Sequence, residues 1–292
     1  MVTRKRRFGD RNDGRKIRTL NPMTRIAIFI MKDRNDALNY IRDSIDTAQI
    51  DKYILKKRAE GLKGFGMMHV LIASYVRLVS QRPGLNRFIS GQTLYARNEL
   101  VIALTIKKNM ELNAQDTVVK QVFPLDATAE DVYRKFNELI EANRGTEEQS
   151  DFDNLAKLLN YIPRLLLRFI VGLLKFLDYF GLLPKALTDL SPFHASYFIT
   201  SMGSLGIPPI YHHLYNFGNV PVFFSFGARR SELMIEKDGS IKQHWFMDYT
   251  FVLDERICDG HYYASGLKYM REILKHPEVL DNPPEEILED ID

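Results

Sequence analysis

The pattern of apolar and polar positions along the chain predicts a domain of mixed strands and helices. Runs rich in β-branched and aromatic residues are typical of strands, whereas apolar positions repeated every three to four residues are typical of helices. The predicted strands are residues 24–31, 87–89, 93–96, 101–106, 220–227, 233–235 and 241–253. The predicted helices are residues 47–58, 67–81, 130–143 and 262–276. Residues 36–41 fit either a further strand or a turn.

Local signals refine this outline. The predicted helix over residues 67–81 carries apolar residues on both faces, as a buried helix does. Thr128 is positioned to cap the helix that follows it, with Asp131 completing an approximate capping box. Residues 144–154 are polar and are predicted to form a surface connection, and residues 237–240 are predicted to form the turn of a hairpin.

The most hydrophobic part of the chain is the segment 163–183, which predicts a discrete helix between Pro163 and the breakers Gly181 and Pro184. Four charged residues interrupt it, namely Arg164, Arg168, Lys175 and Asp178. They are too frequent for a membrane span of about 20 apolar residues, and they fall within one stripe roughly 80° wide. The rest of the helix surface is apolar. It must be buried in this subunit's core, in an oligomer contact or in the acyl boundary of a membrane. We favour protein contact and keep membrane contact as the alternative.

Composition is that of a globular protein, because 45% of the 292 residues are hydrophobic and 11% are aromatic. The net charge is only +3, but its distribution is uneven. Residues 1–20 form a basic arm with eight Lys/Arg and two Asp, and the chain ends in an acidic tail, residues 281–292. We interpret the arm as solvated or as embracing a neighbour. Nucleic acid is not an expected partner, because no binding motif accompanies the arm.

The single cysteine and the N-terminal residues indicate the cellular compartment. The single cysteine, Cys258, cannot form an internal disulfide, so a reducing cytoplasm is the default. The basic start is not followed by an apolar stretch, so we expect no secretory signal peptide. We therefore expect a cytoplasmic protein that is either free or peripheral to a membrane.

Two segments carry candidate chemistry. Residues 196–206 read SYFITSMGSLG, a strand that runs into a turn rich in hydroxyl groups and glycine. Such a turn can direct N–H groups and hydroxyls at an oxyanion, although an ordinary strand end has a similar composition. Residues 254–260 read DERICDG, after the longest predicted strand and before the C-terminal helix.

Together with RPGLN at residues 82–86 and HPEVL at residues 276–280, these segments resemble the catalytic domain of 2-oxo acid dehydrogenase E2 acyltransferases. That family and its structural relatives, the chloramphenicol acetyltransferases, show DHRVxDG or HHAVCDG at the last motif and FTIS-x-LG at the earlier one. The resemblance implies an α+β fold, a two-layer sandwich of mixed sheet and helices. It covers a domain over residues 21–280, in which the apolar helix 163–183 is an insertion.

The resemblance also implies a site and an assembly. Glu255 occupies the position of the family's catalytic histidine, the general base, and Asp259 matches the aspartate that supports the active site. Thr200, with Ser201 as the near alternative, matches the hydroxyl that donates to the tetrahedral oxyanion. The implied assembly is a homotrimer in which Thr200 and Glu255 meet across an interface, and coenzyme A and a small acyl acceptor enter from opposite sides.

The glutamate at position 255 weakens the expected chemistry. The ordinary pKa of Glu lies about 2 units below that of His, which costs roughly 3 kcal/mol of driving force for proton transfer. Burial could raise the pKa of Glu255 and restore a base. Otherwise a displaced histidine would be needed.

Several histidines are candidates for that displaced base. His194 precedes Thr200 by six residues, and the neighbours His212 and His213 could line the same channel. His261 begins the C-terminal helix, so its ring is expected to point elsewhere. No metal site is expected, since the histidines, including His244, lack the spacing of a ligand set.

Three functions follow from these observations. The first is transfer of an acyl group between coenzyme A and an unknown acceptor. The second is a catalytically inactive trimeric module that is structural or binds a ligand. The third is a membrane-peripheral assembly protein anchored by residues 163–183. We expect no lipoyl attachment site, because nothing upstream resembles a lipoyl domain or its linker.

Overall fold

The computed structural model of the protein describes residues 6–107, 116–143 and 159–292. The strands within these residues are β1 (Gly14–Lys16), β2 (Leu38–Asp46), β3 (Arg87–Ser90), β4 (Thr93–Arg97), β5 (Leu100–Lys107), β6 (Asp116–Phe123), β7 (Tyr197–Ser201), β8 (Val222–Ile235) and β9 (Ile241–Asp254). The α-helices are α1 (Pro22–Ile30), α2 (Ala48–Ala59), α3 (Met67–Gln81), α4 (Ala129–Asn143), α5 (Arg164–Tyr179), α6 (Lys185–Leu190) and α7 (Gly260–Lys275).

A six-stranded mixed sheet forms the centre of the domain, in the order β2-β9-β8-β7-β5-β6. Strand β7 runs parallel to β5 and β8, whereas the other neighbours in this sheet are antiparallel. A separate antiparallel sheet has the order β1-β4-β3. This is the mixture of sheet and helices that the sequence predicts.

The central strands are buried on both faces. On one face Ile199 and Phe224, register partners on β7 and β8, belong to the main core with helices α2, α3, α4 and α7. On the other face Phe223 and Val252 belong to a smaller core beneath a covering segment, residues 207–220. Strands that are buried on both faces carry nearly continuous apolar runs, which explains the sequence VFFSFG in β8.

Several predicted elements are confirmed. Helix α3 has the predicted bounds, and the predicted hairpin is formed by β3 and β4. The capping box before α4 is also present. The Thr128 backbone N–H donates to Asp131 Oδ2 at 3.0 Å, and the Asp131 N–H donates to Thr128 Oγ1 at 3.2 Å. The prediction for residues 144–154 lies outside the described residues.

The prediction of a strand over residues 24–31 is wrong, because residues 24–30 belong to α1 and Met31 is its C-cap. The Asn21 side chain accepts a hydrogen bond from the Met23 N–H at 2.9 Å, and Pro22 takes the first helical position. Both features start a helix, and they outweigh the strand preference of the aliphatic run. The two predicted strands 220–227 and 233–235 also differ from the structure, since Val222–Ile235 forms one bulged strand, β8. Residues 36–41 divide between a short 3₁₀ turn and the start of β2.

Helix α5 falls within the predicted segment 163–183, but its apolar surface is not buried in the core of this subunit. Leu165 is 79% exposed and Phe169 is 66% exposed. The face that meets the protein carries Asp178, which is buried. Among the described residues, no helix is long and apolar enough to cross a membrane.

The oppositely charged ends of the chain contact each other. Strand β1 pairs with β4, and Arg15 Nη1 lies 2.9 Å from Asp292 Oδ1. Arg87 Nε on β3 donates to Asp290 at 2.7 Å. The uneven charge is therefore partly neutralised within the molecule.

Candidate functional site

The DERICDG segment is anchored by a buried carboxylate between two arginines. Asp254, at the end of β9, is fully buried. It accepts from Arg256 at 2.8 Å through both carboxylate oxygens and from Arg34 Nε at 3.3 Å. Burial lowers the pKa of Arg34, and the neighbouring Asp254 opposes this shift. Tyr263 completes the anchor by donating to the Asp254 carbonyl at 2.6 Å.

The two motif residues that follow point to solvent. Glu255 opens a short 3₁₀ helix, Glu255–Ile257, and is exposed. Asp259 is also exposed, and its Oδ1 accepts from the Tyr262 N–H at 2.8 Å as the N-cap of α7. Neither carboxylate is therefore buried within this chain.

The side chain of Thr200 shares one face of the sheet with two other hydroxyls. Thr200, Ser225 and Thr250 are register partners on β7, β8 and β9. Ser225 Oγ accepts from the Ile210 N–H at 3.2 Å, and Thr250 Oγ1 donates to the Ile210 carbonyl at 2.6 Å. These two bonds fix the covering segment on the sheet beside Thr200. Ser201 alternates to the opposite face, since adjacent residues of a strand point to opposite sides.

Thr200 lines a cavity of about 280 Å³ between the sheet and the covering segment. Its walls are mainly apolar and aromatic, with Phe198 and Phe223 from the sheet. His212 and His213 of the covering segment also line it. The structure thus brings the predicted oxyanion donor together with the two histidines, in what we call the Thr200 cavity.

His212 is held in one tautomer. Its Nδ1 lies 2.8 Å from the His213 carbonyl oxygen, and a carbonyl only accepts, so Nδ1 carries the proton. The ring stacks on Phe223 with centroids 4.2 Å apart. Burial lowers the pKa of His212, and the bond to His213 only partly offsets this effect. The ring is therefore neutral near pH 7, with Nε2 as its basic nitrogen.

The other histidine candidates lie elsewhere. His194 is buried, with Nδ1 at 2.8 Å from Ser191 Oγ and Nε2 at 3.4 Å from Asp178 Oδ2. His261 is exposed on the first turn of α7. Neither lines the Thr200 cavity.

Thr200 and Glu255 do not meet within one chain. Thr200 is level with Thr250 in the sheet, and Glu255 follows Thr250 by five residues. At 3.3 Å per residue, that separation is about 16 Å along the strand direction. Hydrogen-bonded chemistry between the two side chains would therefore need a second subunit.

A second cavity, of about 430 Å³, lies beside the DERICDG segment. It is more polar, and its lining includes Lys32, Arg34, Lys175 and Arg256. Among the described residues, no group of three His, Cys, Asp or Glu side chains is arranged to hold a metal ion. Cys258 is buried, and burial raises the pKa of its thiol to about 12.

No family model and no curated protein matches this sequence. Solved structures do match. A probable dihydrolipoamide acetyltransferase from Listeria monocytogenes 4b F2365 is 14% identical, with 90% of this chain and 95% of that chain covered and a TM-score of 0.55. A truncated catalytic core of the 2-oxoacid dehydrogenase multienzyme complex from Thermoplasma acidophilum is 12% identical, with coverage of 90% and 99% and a TM-score of 0.53. A chloramphenicol acetyltransferase is 12% identical, with coverage of 90% and 100% and a TM-score of 0.52. The predicted fold class is therefore confirmed, and at these identities the similarity shows the fold alone.

Proposed function

We propose that this chain, which has the fold of E2 catalytic domains and of chloramphenicol acetyltransferase, transfers an acyl group from its coenzyme A thioester to a hydroxyl or thiol acceptor. The observation that carries the proposal is the Thr200 cavity, where the Thr200 hydroxyl and the neutral His212 imidazole, together with Thr105, Tyr215 and His213, line a mainly apolar space of about 280 Å³. Apolar walls suit an acyl chain, and a few convergent polar groups suit its reacting end.

The residues of this cavity have distinct proposed roles. His212 Nε2 takes the proton of the acceptor O–H or S–H as the acceptor atom attacks the thioester carbonyl carbon. The Thr200 hydroxyl donates to the oxyanion that forms. When the intermediate collapses, the carbon–sulfur bond breaks, and the departing thiolate of coenzyme A takes the proton back from Nε2. The acceptor remains acylated, and the ring is neutral again.

One experiment tests this function and the role of Glu255 by measuring acyl transfer in the native protein and in Glu255→Gln. Purified protein is incubated with acetyl-coenzyme A or a longer acyl-coenzyme A and a small thiol such as dihydrolipoamide, and released coenzyme A is quantified by chromatography. We expect release above the protein-free rate, and a change of no more than about twofold in Glu255→Gln, because an exposed carboxylate about 16 Å from Thr200 makes no contact in the transition state.

The outcomes separate three possibilities. Absence of transfer with every acyl-coenzyme A would overturn the proposed function. Transfer that is abolished in Glu255→Gln would place the reaction at an intersubunit site built around Glu255 instead of His212. Binding of coenzyme A without turnover would favour the second candidate function, an inactive ligand-binding module. The exposure of Glu255 at the position of the family's base is the observation that supports this second candidate.

We further propose that the chain assembles as a homotrimer through the hairpin of β8 and β9. The end of this hairpin exposes large apolar side chains, including Leu233, Trp245 and the cross-strand pair of Ile235 and Ile241. One structural neighbour is described as the cubic core of the pyruvate dehydrogenase multienzyme complex, with 12% identity and a TM-score of 0.50.

Light scattering should therefore give the mass of three chains of 33.9 kDa. Replacing Ile235 and Ile241 together by glutamate should dissociate the trimer, because two charges would replace an apolar contact, and should leave the circular dichroism of the monomer unchanged. A native mass that is not a multiple of three chains would contradict the proposed assembly.

A further inference from the structure

Helix α5 is fixed to the domain in a way that turns its apolar side outward. Arg11 Nη2 binds the Asp178 carboxylate at 2.8 Å, and Ser90 Oγ donates to the Asp178 carbonyl at 3.0 Å. At Gly91 an added Cβ would lie 2.1 Å from the Tyr179 carbonyl oxygen, so this close contact requires glycine. The exposed apolar side chains of α5 are Leu165, Leu166, Phe169, Val171, Leu173, Phe176 and Tyr179. Their exposure therefore belongs to a helix that is anchored to the domain at its C-terminal turn.

Helix α1 exposes a second set of apolar side chains close to the same place. Met23, Ile26, Phe29 and Ile30 are exposed. The backbone just after α1 is held by Arg256 Nη1, which donates to the Met31 carbonyl at 2.9 Å. Lys32, which follows α1, and Lys175 and Tyr179 of α5 line the second cavity, so the C-terminal ends of both helices flank it.

The exposed charges of these two helices have one sign. Arg25 of α1 and Arg164, Arg168 and Lys175 of α5 are all exposed. The only acid within the bounds of either helix is Asp178, which is buried and paired with Arg11. An apolar surface bordered by cations is complementary to an anionic bilayer. A second copy of the same surface is a poorer partner, because a twofold contact would bring the same cations together.

The second cavity offers a place for a headgroup. Arg34 and Arg256 in its wall are engaged by Asp254 and backbone carbonyls, including the Gly218 carbonyl at 3.0 Å from Arg34 Nη2. Lys32 and Lys175 are exposed at its edge. The lining also carries two acids, Asp33 and Asp178, and Asp178 is paired with Arg11. The four lining cations outnumber these two acids, and an excess of one remains when the buried Asp254 is counted, so the field in the cavity favours an anion.

We infer that α1 and α5 form a lipid-binding surface that lies on an anionic bilayer, with a phospholipid phosphate held between Lys32 and Lys175 in the second cavity. The apolar side chains of both helices enter the acyl boundary, and the flanking cations meet neighbouring headgroups. This inference does not depend on the proposed acyl transfer.

Vesicle flotation of the full chain tests the inference. We expect the protein to float with vesicles of phosphatidylglycerol mixed with phosphatidylcholine, to stay behind with phosphatidylcholine alone, and to bind less as salt increases. Replacing Lys32 and Lys175 together by glutamate should lower partitioning by about tenfold or more, because each cation near the surface contributes to binding. Phe169→Ser combined with Phe176→Ser should also lower it. Lys52→Glu combined with Lys268→Glu, two exposed positions on α2 and α7, is the matched charge control and should bind like the native protein.

Other results would overturn the inference. One is failure to float with any vesicle while circular dichroism shows native folding. Another is a fall in oligomer mass caused by the double serine variant, which would assign the surface to a second copy of the chain. A third is titration calorimetry that shows binding of soluble glycerol phosphate without vesicle binding, which would assign the cavity to a free phosphate ester.

Discussion

Asp254→Asn is expected to destabilise the protein by about 3–5 kcal/mol, the typical cost of removing one partner from a buried ion pair. The carboxylate is fully buried and faces two guanidiniums, those of Arg34 and Arg256. The amide keeps the size of the side chain but removes its charge. Two arginines would then remain buried with no counter-charge between them, and neither can lose its proton at ordinary pH.

Guanidinium chloride unfolding at one fixed protein concentration measures this change, because assembly would make the stability depend on concentration. Glu255→Gln is the matched control, since it neutralises the adjacent but exposed carboxylate, and we expect a change within about 0.5 kcal/mol. Arg34→Met added to Asp254→Asn should recover part of the loss, because one unpaired charge is then removed. Equal stabilities for Asp254→Asn and Glu255→Gln would show that the buried cluster contributes little.

This cluster also shows what sequence patterns can and cannot reveal. The motif DERICDG located the end of β9 correctly, and Asp254 lies within it. Nothing local connects Asp254 with Arg34, which is 220 residues earlier, because their contact depends on how β2 and the preceding turn pair with β9. Periodicity reports which face of an element is apolar, whereas a long-range ion pair depends on the tertiary fold.

Sequence patterns are also insufficient for the structure of α1 and for the orientation of α5. In α1 the cap at Asn21 was a readable signal, but the aliphatic run favoured a strand. In α5 the helix was predictable from its breakers, whereas the outward direction of its apolar side is set by Asp178 and Arg11. Helix α3 shows the opposite case. It is apolar all round, so only a buried helix fits, and its predicted bounds are confirmed.

The candidate site was partly predictable as well. The motif SYFITSMGSLG indicates Thr200 as a candidate, whereas the sequence offers His212 only as one of several histidines. The structure distinguishes them by the covering segment, which places His212 and not His194 or His261 at the Thr200 cavity. That placement depends on two hydrogen bonds, one between Ile210 and Ser225 and one between Ile210 and Thr250, which join three separate parts of the chain.

His212→Gln is expected to lower kcat/KM for acyl transfer by about 10²- to 10⁴-fold, the usual contribution of a positioned general base. Glutamine can keep a hydrogen bond to the His213 carbonyl but offers no nitrogen that can take a proton. His213→Gln is the matched control, since that side chain is exposed and the carbonyl that fixes His212 is retained. We expect the control to lose less than about tenfold, because the base itself is unchanged.

The pH dependence of transfer separates a base from a residue that only shapes the cavity. Burial lowers the pKa of His212 below its ordinary value, so the ring stays unprotonated at neutral pH. The native kcat/KM should therefore be level around pH 7 and should fall only as the pH drops through a pKa below about 6.5. That acid limb should disappear in His212→Gln and persist in His213→Gln. If the limb persists in His212→Gln with its midpoint unchanged, another group is the base, and the hydrogen bond to His213 only holds the covering segment in place.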